Sequence, residues 1–559
     1  MKNNTELLEE ETVEIKEITI PLTAIMRAGA NAYLLFLFVV LSLYHREGFV
    51  MIGDRKYRLF FVVSILMVPA LLLLFLGKKY MTEKSERQEK MRALDICMLG
   101  YAGIVIVSAL YSIDSSIALW GFVDWHMGVL SQLMFVGIYF AISRCWVWNR
   151  WMPKVLLLMA GVLSLLGVCN RFALDPLHMF QGLEYWNKTH LLATIGNINW
   201  YCGYLCATVP FLIGYFIFGR HRTWQSAVLL VLNMLAAAAL MVQGSTSGLA
   251  ALAALLILYL GLSLGNKERL QRFLQWNMGC GAAVILLGFW YTMADKEQIY
   301  FASDLGIEQL LLSPMWFCYA GIAAFLWGMI HMIHMEPRDN ESEWRGRIHW
   351  LQSVIDGKSD RDVILLRKKY FLTVILVGLV GVVCMVLHGV YPAFLPILNQ
   401  ISICNWNDSW GSGRIYLWKV VVKAFTEMPF TRQLLGAGPD CFAPYIYTHY
   451  GNSLQGFLAE WWGDAEVASA HNEWLNALIN TGILGMISYM SIFATALYTF
   501  YRKCRDGAES NWICLSIIGC LAAYCVNNSV SFQQVMSTPY IFALMGMGMA
   551  ARGESEKIA

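Results

Sequence analysis

Charged residues are scarce in this sequence, and so are the spacings typical of soluble catalytic and metal sites. Only 14% of the 559 residues are charged and the net charge is +2, whereas a soluble globular chain carries about 25% charged residues. No CxxC pair, Cys/His metal spacing or nucleotide-binding glycine loop occurs. The balanced charge offers no basic surface for nucleic acid, and its low density argues against a string of soluble domains.

Hydrophobic residues make up 58% of the chain. They fall in runs of about 17–25 residues, the length that crosses a bilayer as a helix. The pattern predicts an all-α polytopic membrane protein with about fourteen transmembrane helices. The predicted spans lie near 29–45, 59–77, 94–112, 127–143, 154–170, 199–218, 225–242, 246–263, 277–294, 310–333, 371–391, 473–499, 512–528 and 534–551. No internal repeat of fixed period is visible, which weakens the case for transporter folds built from repeats.

The distribution of Lys and Arg predicts the orientation of these helices. Loops on the predicted inner side are basic, as between residues 78 and 92, whereas residues 113–126 on the predicted outer side contain no Lys or Arg. The first outer loop, residues 46–58, is a mild exception. We therefore expect a cytoplasmic N-terminal tail (1–28), a transmembrane bundle (29–391) with a cytoplasmic loop (337–369), and a cytoplasmic C-terminus.

One predicted connection is far longer than the others. Residues 392–470 form a large extracytoplasmic loop, and residues 471–559 follow as C-terminal spans and a tail. Long loops carry function more often than the scaffold beneath them, and aromatic side chains in this one suit sugar rings. An aromatic belt at the membrane interface is the alternative for any single tryptophan. The tryptophans are Trp406, Trp410, Trp418, Trp461 and Trp462.

Most of the fourteen cysteines fall inside apolar runs, as Cys202 and Cys206 do. For these, small core residues are the favoured interpretation. Cys404 and Cys441 are exceptions because both fall in the long loop. A disulfide between them is possible, but no further feature of the sequence supports it.

The first candidate constellation is the segment GSGR (411–414), which precedes an amphipathic stretch that ends before residue 429. Apolar residues, including Trp418, recur there at helical spacing, whereas Lys419 and Lys423 lie four apart on another face. Glycines before the helix let the backbone approach a ligand, and Arg414 in the first turn presents a fork of donors that suits phosphate oxygens. The alternative is that Arg414 only reaches the lipid headgroups.

The second constellation is the segment AHNEWLN (470–476), at the predicted outer mouth of the twelfth span. Asn472, Asn476 and Asn480 are spaced four apart and share one helix face, with Glu473 beside it. Polar side chains in the outer part of a spanning helix usually face a cavity or the bundle interior. His471 at the head of this stripe suits a general base near neutral pH; a histidine that anchors the helix at the interface is the alternative.

The combination of Arg414 and His471 is more informative than either residue alone. A phosphate-binding cation and a proton acceptor on one outer loop suit the transfer of a glycan from a lipid pyrophosphate. The arginine would stabilise charge on the leaving phosphate, and the histidine would take the proton of an acceptor hydroxyl. Because no nucleotide-binding loop accompanies them, the energy must come from an activated donor in the membrane. We expect neither a metal nor a cofactor.

These motifs resemble the C-terminal module of O-antigen ligases and related polymerases. That module typically contains Arg…Trp, then Pro and a Gly-x-Gly turn, then His-Asn-x-x-Leu and a downstream Gly-x-x-Gly. The chain carries matching residues in the same order at Arg414, Trp418, Pro429, Gly436, Gly438, His471, Asn472, Leu475, Gly482 and Gly485. Upstream, the segment GNINW (196–200), with Asn197 and Asn199, is similar to a Gly-Asn-x-Asn segment often seen in such proteins.

The resemblance implies a C-type glycosyltransferase-like architecture in the bacterial cytoplasmic membrane, with both termini cytoplasmic. It implies a polyprenyl-pyrophosphate-linked glycan as donor and a glycan, lipid or protein as acceptor. Catalytic roles are implied for Arg414 and His471. Substrate-binding roles are expected for Asn472, Glu473, Asn476, Trp418, Lys419, Lys423, Asn197 and Asn199.

Two arginines common in the family are missing. The chain reads STSG (245–248) at one of these positions and DWHMG (124–128) at the other. Lys188, Lys419 or Lys423 are the residues that could replace the lost phosphate contacts. A diverged acceptor or a loss of activity stays open on the sequence alone.

Three kinds of function fit the sequence. The favoured one is a metal-independent glycan ligase or polymerase, with a protein O-glycosyltransferase as a variant because the acceptor is not encoded in these residues. A lipid-linked glycan flippase or transporter is the first alternative. It predicts charged residues deep within the spans, and few occur beyond Asp95 and Asp114, which lie near span ends. An inactive assembly protein that retains the motif is the second alternative.

Overall fold

The computed structural model describes residues 21–81, 91–295, 299–301, 306–333, 352–357, 360–391, 393, 406–462, 466–505 and 511–551. Within these ranges, 11 helices are long and apolar enough to cross a membrane. Three shorter apolar helices lie at the remaining predicted spans: Val129–Cys145, Trp512–Asn528 and Thr538–Ala550. An all-α polytopic membrane protein is thus confirmed, whereas the count of about fourteen crossings stays a prediction.

The elements follow one another along the chain with a single small β-ribbon, in which β1 (Leu191–Leu192) pairs antiparallel with β2 (Gly196–Asn197). A π-helical turn, Phe36–Leu41, continues the first helix. The helices are α1 (Leu22–Leu35), α2 (Ile52–Met81), α3 (Ala93–Leu110), α4 (Ser115–Trp120), α5 (Val129–Cys145), α6 (Met152–Arg171), α7 (Tyr185–His190), α8 (Ile198–Phe218), α9 (Thr223–Val242), α10 (Thr246–Ser263), α11 (Lys267–Met293), α12 (Ile307–Leu312), α13 (Met315–Ile333), α14 (Asp360–Val390), α15 (Trp410–Glu427), α16 (Phe430–Leu435), α17 (Phe442–Trp462), α18 (Glu473–Arg505), α19 (Asn511–Asn528) and α20 (Thr538–Ala550).

Several helices begin earlier than the apolar runs that predicted them. α1 begins at Leu22, inside the predicted tail 1–28, and α14 begins at Asp360, inside the predicted loop 337–369. Charged residues are compatible with a helix that continues beyond its apolar part. In α14, the guanidinium of Arg367 also donates to the carbonyl oxygen of Leu264, just past the end of α10, at 2.6 Å, where a helix leaves carbonyls unsatisfied. Residues 334–351 and 358–359 of that loop lie outside the described residues.

A buried cation joins the loops on one side of the bundle. Arg171, at the end of α6, is fully buried and donates to four backbone carbonyl oxygens, those of Thr189, Val242, Gln243 and Tyr300. Because a buried charge must be hydrogen-bonded to be tolerated, this guanidinium fixes the segment that leads into the β-ribbon and α8. The hydropathy pattern of the sequence does not predict this role of Arg171.

The predicted long loop is largely helical where it is described. α15, α16 and α17 lie within it, and none of them qualifies as a membrane span. Their apolar faces form a small separate core with the first turns of α18, which includes Leu417, Val421, Phe442, Ile446 and Ile479. This packed layer, rather than a flexible loop, positions the candidate site.

Candidate functional site

Arg414 begins the regular part of α15. Gly411, Ser412 and Gly413 have φ values of 60°, 59° and 83°, in the left-handed region that glycine adopts readily. The chain therefore turns sharply before it becomes helical. A Cβ at Gly411 would lie 3.3 Å from Nη1 of Arg414, so the guanidinium folds back against the turn that precedes it.

The Arg414 side chain offers an unused donor. Its Nε is buried and has no hydrogen-bond partner within the described ranges. Burial lowers the pKa of the guanidinium to about 10, which still leaves it protonated at neutral pH. A buried, charged donor without a partner is rare in proteins, and it suits an anionic oxygen supplied by a ligand.

His471 lies on a strained turn at the head of α18. Its φ of 47° is uncommon for a residue with a side chain. Hydrogen bonds hold the preceding peptide: Trp418 Nε1 donates to the carbonyl oxygen of Ala470 at 2.9 Å, and the Ala470 N–H donates to Asn476 Oδ1 at 3.3 Å. Two residues predicted to bind substrate thus contact the histidine's backbone turn.

The imidazole of His471 is neutral at neutral pH. Its side chain is buried, and its ring meets Phe532 edge to face with 5.0 Å between centroids. Burial, and after it the positive charge of Arg414, lowers the pKa of His471 well below its usual value. A neutral imidazole can accept a proton. The influence of Arg414 on this pKa also means that the two predicted catalytic residues lie near each other.

A small pocket lies close to His471. Glu473 and Asn476, both predicted from the sequence, line it, and Phe532 connects it to the His471 ring. The lining residues are Tyr101, Trp125, Met127, Gln132, Pro439, Asp440, Ala468, Ser469, Glu473, Asn476, Ala477, Asn480, Thr481, Phe532 and Gln533.

The pocket contains a second carboxyl group that sequence reasoning missed. Asp440 is buried, and its Oδ2 accepts the backbone N–H groups of Phe122 at 2.7 Å and Met127 at 2.8 Å. Burial outweighs these bonds and raises the pKa of Asp440 to about 6. Glu473 is also buried, and its Oε2 accepts the Gln533 N–H at 2.6 Å.

Close backbone hydrogen bonding explains why glycines occur in the 436–438 turn and inside α18. At Gly482 the helix breaks, with φ 68° and ψ −173°, and the carbonyls before the break turn outward. Those of Ile479 and Asn480 accept the N–H groups of Ala437 at 2.8 Å and Gly438 at 2.9 Å. A Cβ at Gly482 would lie 2.3 Å from the Leu434 backbone, so only glycine fits. These two hydrogen bonds form a backbone interlock between residues 437–438 and residues 479–480, which places Asp440 opposite α18.

The three asparagines that were predicted to share one helix face have different environments. Asn472 caps α18, because its Oδ1 accepts the N–H groups of Trp474 and Leu475, both at 3.1 Å. Asn476 and Asn480 line the pocket. Oδ1 of Asn480 is buried without a hydrogen-bond partner in the described part of the chain.

The predicted lysines lie outside the pocket lining. Lys419 and Lys423 are 65% and 64% exposed, and they contact Asp408 at 2.6 Å and Glu427 at 4.0 Å. Lys188 lies 5.4 Å from the Tyr300 ring. Their proposed phosphate contacts remain predictions.

The GNINW segment lies one aromatic contact away from the pocket. Asn197 caps α8 by accepting the Asn199 N–H at 2.8 Å, and neither side chain lines the pocket. The neighbouring Trp200 meets Trp125 at 6.1 Å between centroids, and Trp125 meets Phe532 at 4.5 Å. A row of aromatic rings thus connects this segment to His471.

The two segments without the family arginines carry other polar contacts. In DWHMG, His126 Nε2 lies 3.1 Å from Asp54 Oδ1, and its ring stacks on Tyr57. In STSG, Ser247 donates to Asn527 Oδ1 at 2.9 Å. Cys404, one half of the possible disulfide, lies outside the described residues.

Residues 362–490 match the model of the family described as O-Antigen ligase. The matched range covers α15, the 436–438 turn, Asp440 and His471. The resemblance inferred from the motifs is thereby confirmed for this part of the chain. A comparison with curated proteins found no match.

Proposed function

Because residues 362–490 belong to the O-antigen ligase family, we propose that this membrane protein transfers a glycan from a polyprenyl-pyrophosphate carrier to an acceptor hydroxyl. The reaction takes place at the outer face of the bacterial cytoplasmic membrane during polysaccharide assembly. The observation that carries the proposal is that a charged Arg414, whose Nε is buried, lies near enough to the buried, neutral His471 to lower its pKa.

Arg414 binds the pyrophosphate in this proposal. Its Nε lacks a hydrogen-bond partner among the described residues, and the guanidinium fork matches phosphate oxygens. In a site shielded from water, a fixed positive charge stabilises the negative charge that grows on the leaving group.

His471 acts as the general base. The acceptor hydroxyl oxygen attacks the anomeric carbon of the donor and forms the new glycosidic bond. The bond from that carbon to the phosphate oxygen breaks, and polyprenyl pyrophosphate leaves with the electron pair. The hydroxyl proton passes to the neutral imidazole, which lies next to the charge of Arg414.

The buried charges do not favour the flippase alternative. Asp95 is fully buried but lies in the first turn of α3, where it pairs with Arg144 at 2.5 Å and accepts the Tyr139 hydroxyl at 2.6 Å. A transport pathway would place charged residues deep within the spans. Asp95 fits better as a structural ion pair at the end of a helix.

The test is the surface glycan of cells that carry His471→Ala, with His449→Ala as the matched control. His449 lies in α17, is exposed, and its Nδ1 lies 2.8 Å from the Tyr445 carbonyl oxygen. We expect the His471 variant to insert at normal levels, to accumulate lipid-linked glycan and to lose the finished product, whereas the control retains it. An unchanged glycan profile in the His471 variant would exclude this mechanism.

A further inference from the structure

A segment without helical structure separates α19 from α20, and the proposed reaction gives it no role. It spans residues 529–537, of which residues 531–537 are buried. It carries Phe532, whose ring meets the ring of His471 edge to face with 5.0 Å between centroids. The side chain that contacts the imidazole therefore comes from a stretch of chain that no regular element holds in place.

Two hydrogen bonds tie this segment to the start of α18. The backbone N–H of Gln533 donates to Oε2 of Glu473 at 2.6 Å, and Nε1 of Trp474 donates to Oγ of Ser529 at 3.0 Å. Because Phe532 lies between Ser529 and Gln533 in the chain, the two bonds hold the stretch that carries it from both sides. Both bonds start or end on residues that follow His471 closely in sequence, so the histidine and the phenylalanine share one support.

The bond to Glu473 is the last of a series of buried hydrogen bonds. The hydroxyl of Tyr101 donates to Oε1 of Gln132 at 2.9 Å, and Nε2 of Gln132 donates to Oε1 of Gln533 at 2.7 Å. All four residues of the series are buried. Since Tyr101 belongs to α3 and Gln132 to α5, the series joins two spans to α18 through the 529–537 segment. Buried polar groups must be hydrogen-bonded to be tolerated, and a connected set of them rigidifies the elements that it joins.

We propose that Glu473 is a positioning residue for the general base: by accepting the Gln533 N–H, it holds Phe532 against the imidazole of His471. The inference rests on the proposed transfer reaction, and it gives Glu473 a role other than the substrate contact expected from the sequence. Edge-to-face contact is a preferred arrangement of two rings, so Phe532 fixes the orientation of the imidazole and keeps water from it. The bond to Gln533 requires an acceptor oxygen on Glu473 and not a charge.

The groups that can alter the protonation of the imidazole lie on three elements. Arg414 of α15 acts on it through its positive charge. Glu473 belongs to α18, and Asp440, between α16 and α17, lines the same small pocket as Glu473. The 529–537 segment contains no charged residue. Because burial is the larger of the two causes that lower the pKa of His471, water admitted at Phe532 would raise that pKa toward its ordinary value.

The first test compares two substitutions of Glu473 in the full-length protein, in lipid nanodiscs that contain a lipid-linked donor. Glu473→Ala removes the acceptor oxygen, and we expect kcat to fall at least about ten-fold while KM changes less than about two-fold. Glu473→Gln keeps an oxygen for the Gln533 N–H and should retain kcat within about three-fold. Glu466→Ala, at an exposed position, is the matched control and should behave like the natural protein. Rates are expressed per amount of folded protein.

The second test removes the ring itself. Phe532→Ala admits water to the imidazole, so the acid limb of kcat/KM should move to higher pH by at least about half a unit. Glu473→Ala should move the limb in the same direction, whereas Glu473→Gln should leave it near its natural position. Phe317→Ala, an exposed phenylalanine of α13, is the control. A shift shared by Phe532→Ala and Glu473→Ala would support the positioning role, since a general loss of stability does not move this limb.

The outcomes distinguish this inference from the transfer reaction. If His471→Ala still transfers glycan, the proposed function fails, and the positioning role fails with it. If His471→Ala abolishes transfer but Glu473→Ala keeps the natural kcat and acid limb, only the positioning role is overturned. A rise in KM alone for Glu473→Ala would also overturn it, because that result indicates a substrate contact. Should Glu473→Ala fold poorly, the acid limbs of Phe532→Ala and Glu473→Gln decide the matter: a limb that Phe532→Ala leaves unmoved overturns the role.

Discussion

The indole Nε1 of Trp418 donates a hydrogen bond to the carbonyl oxygen of Ala470 at 2.9 Å. Trp418 lies one helical turn after Arg414, and Ala470 directly precedes His471. The bond therefore joins the helix that presents the arginine to the turn that presents the histidine. It fixes the relative position of the two groups that the proposed reaction brings together.

Trp418→Phe should lower the rate of transfer while donor affinity changes little. The substitution keeps an aromatic ring but removes the N–H, and a hydrogen bond of this kind is worth about 1 kcal/mol, or several-fold in rate. Steady-state kinetics with a lipid-linked donor would measure the effect. Trp224→Phe, at an exposed position of α9, is the control. A large loss of sugar affinity at an unchanged rate would instead indicate that Trp418 stacks on substrate.

The acid limb of the pH–rate profile should lie below pH 6.5 for kcat/KM. The pKa of His471 in the free protein is lowered by burial and by Arg414, so the base is neutral above that range and becomes protonated only as the pH falls through the lowered pKa. Bound pyrophosphate neutralises Arg414 and removes part of this effect. The acid limb of kcat, which reports the bound state, should therefore lie at higher pH. Coincident limbs would mean that the donor does not contact Arg414.

Asp440→Asn should stabilise the protein at pH 7.5 more than at pH 5. Burial raises the pKa of the folded carboxyl to about 6 from its usual value of 3.8. Stability from such a group is complete below about pH 4 and is lost as the pH rises through 6. Between pH 5 and pH 7.5 this loss amounts to about 1.4 kcal/mol. Thermal unfolding midpoints at both pH values would measure the difference, with the exposed Asp408→Asn as control. An equal change at both pH values would contradict the assigned pKa.

Gly482→Ala should prevent correct assembly of the site. The residue has a φ of 68°, and a new Cβ would lie 2.3 Å from the Leu434 backbone, so either the helix break or the 436–438 turn must move. We expect a loss of at least about 2 kcal/mol, visible as a lower thermal midpoint and lower membrane levels. Gly456→Ala is the matched control, because no atom lies within 4 Å of its added Cβ. Normal stability of the Gly482 variant would refute the interlock.

The sequence predicted the spans, and singled out Arg414 and His471 as candidates, for physical reasons. Apolar runs of bilayer length must be helical in lipid, and the types and order of Arg414 and His471 are specific enough to identify their family. Helix ends were less predictable, because charged first turns such as that of α14 extend a helix without an apolar signal.

Asp440 could not be found from the sequence. An aspartate after Gly-Pro is an ordinary turn residue, and its partners, Phe122 and Met127, are more than 300 positions away in the chain. The predicted roles of the three spaced asparagines show a similar limit of sequence reasoning. Helical spacing placed Asn472 with Asn476 and Asn480, but only the start of α18 decides that Asn472 serves as its cap.

The backbone interlock has a consequence for biogenesis. Ala437 and Gly438 leave the ribosome some forty residues before Ile479 and Asn480, the partners of their N–H groups. The N–H groups of Ala437 and Gly438 must therefore stay unpaired until α18 has been synthesised. The candidate site is then one of the last features of the chain to form during synthesis, so a growing chain that lacks α18 also lacks this site.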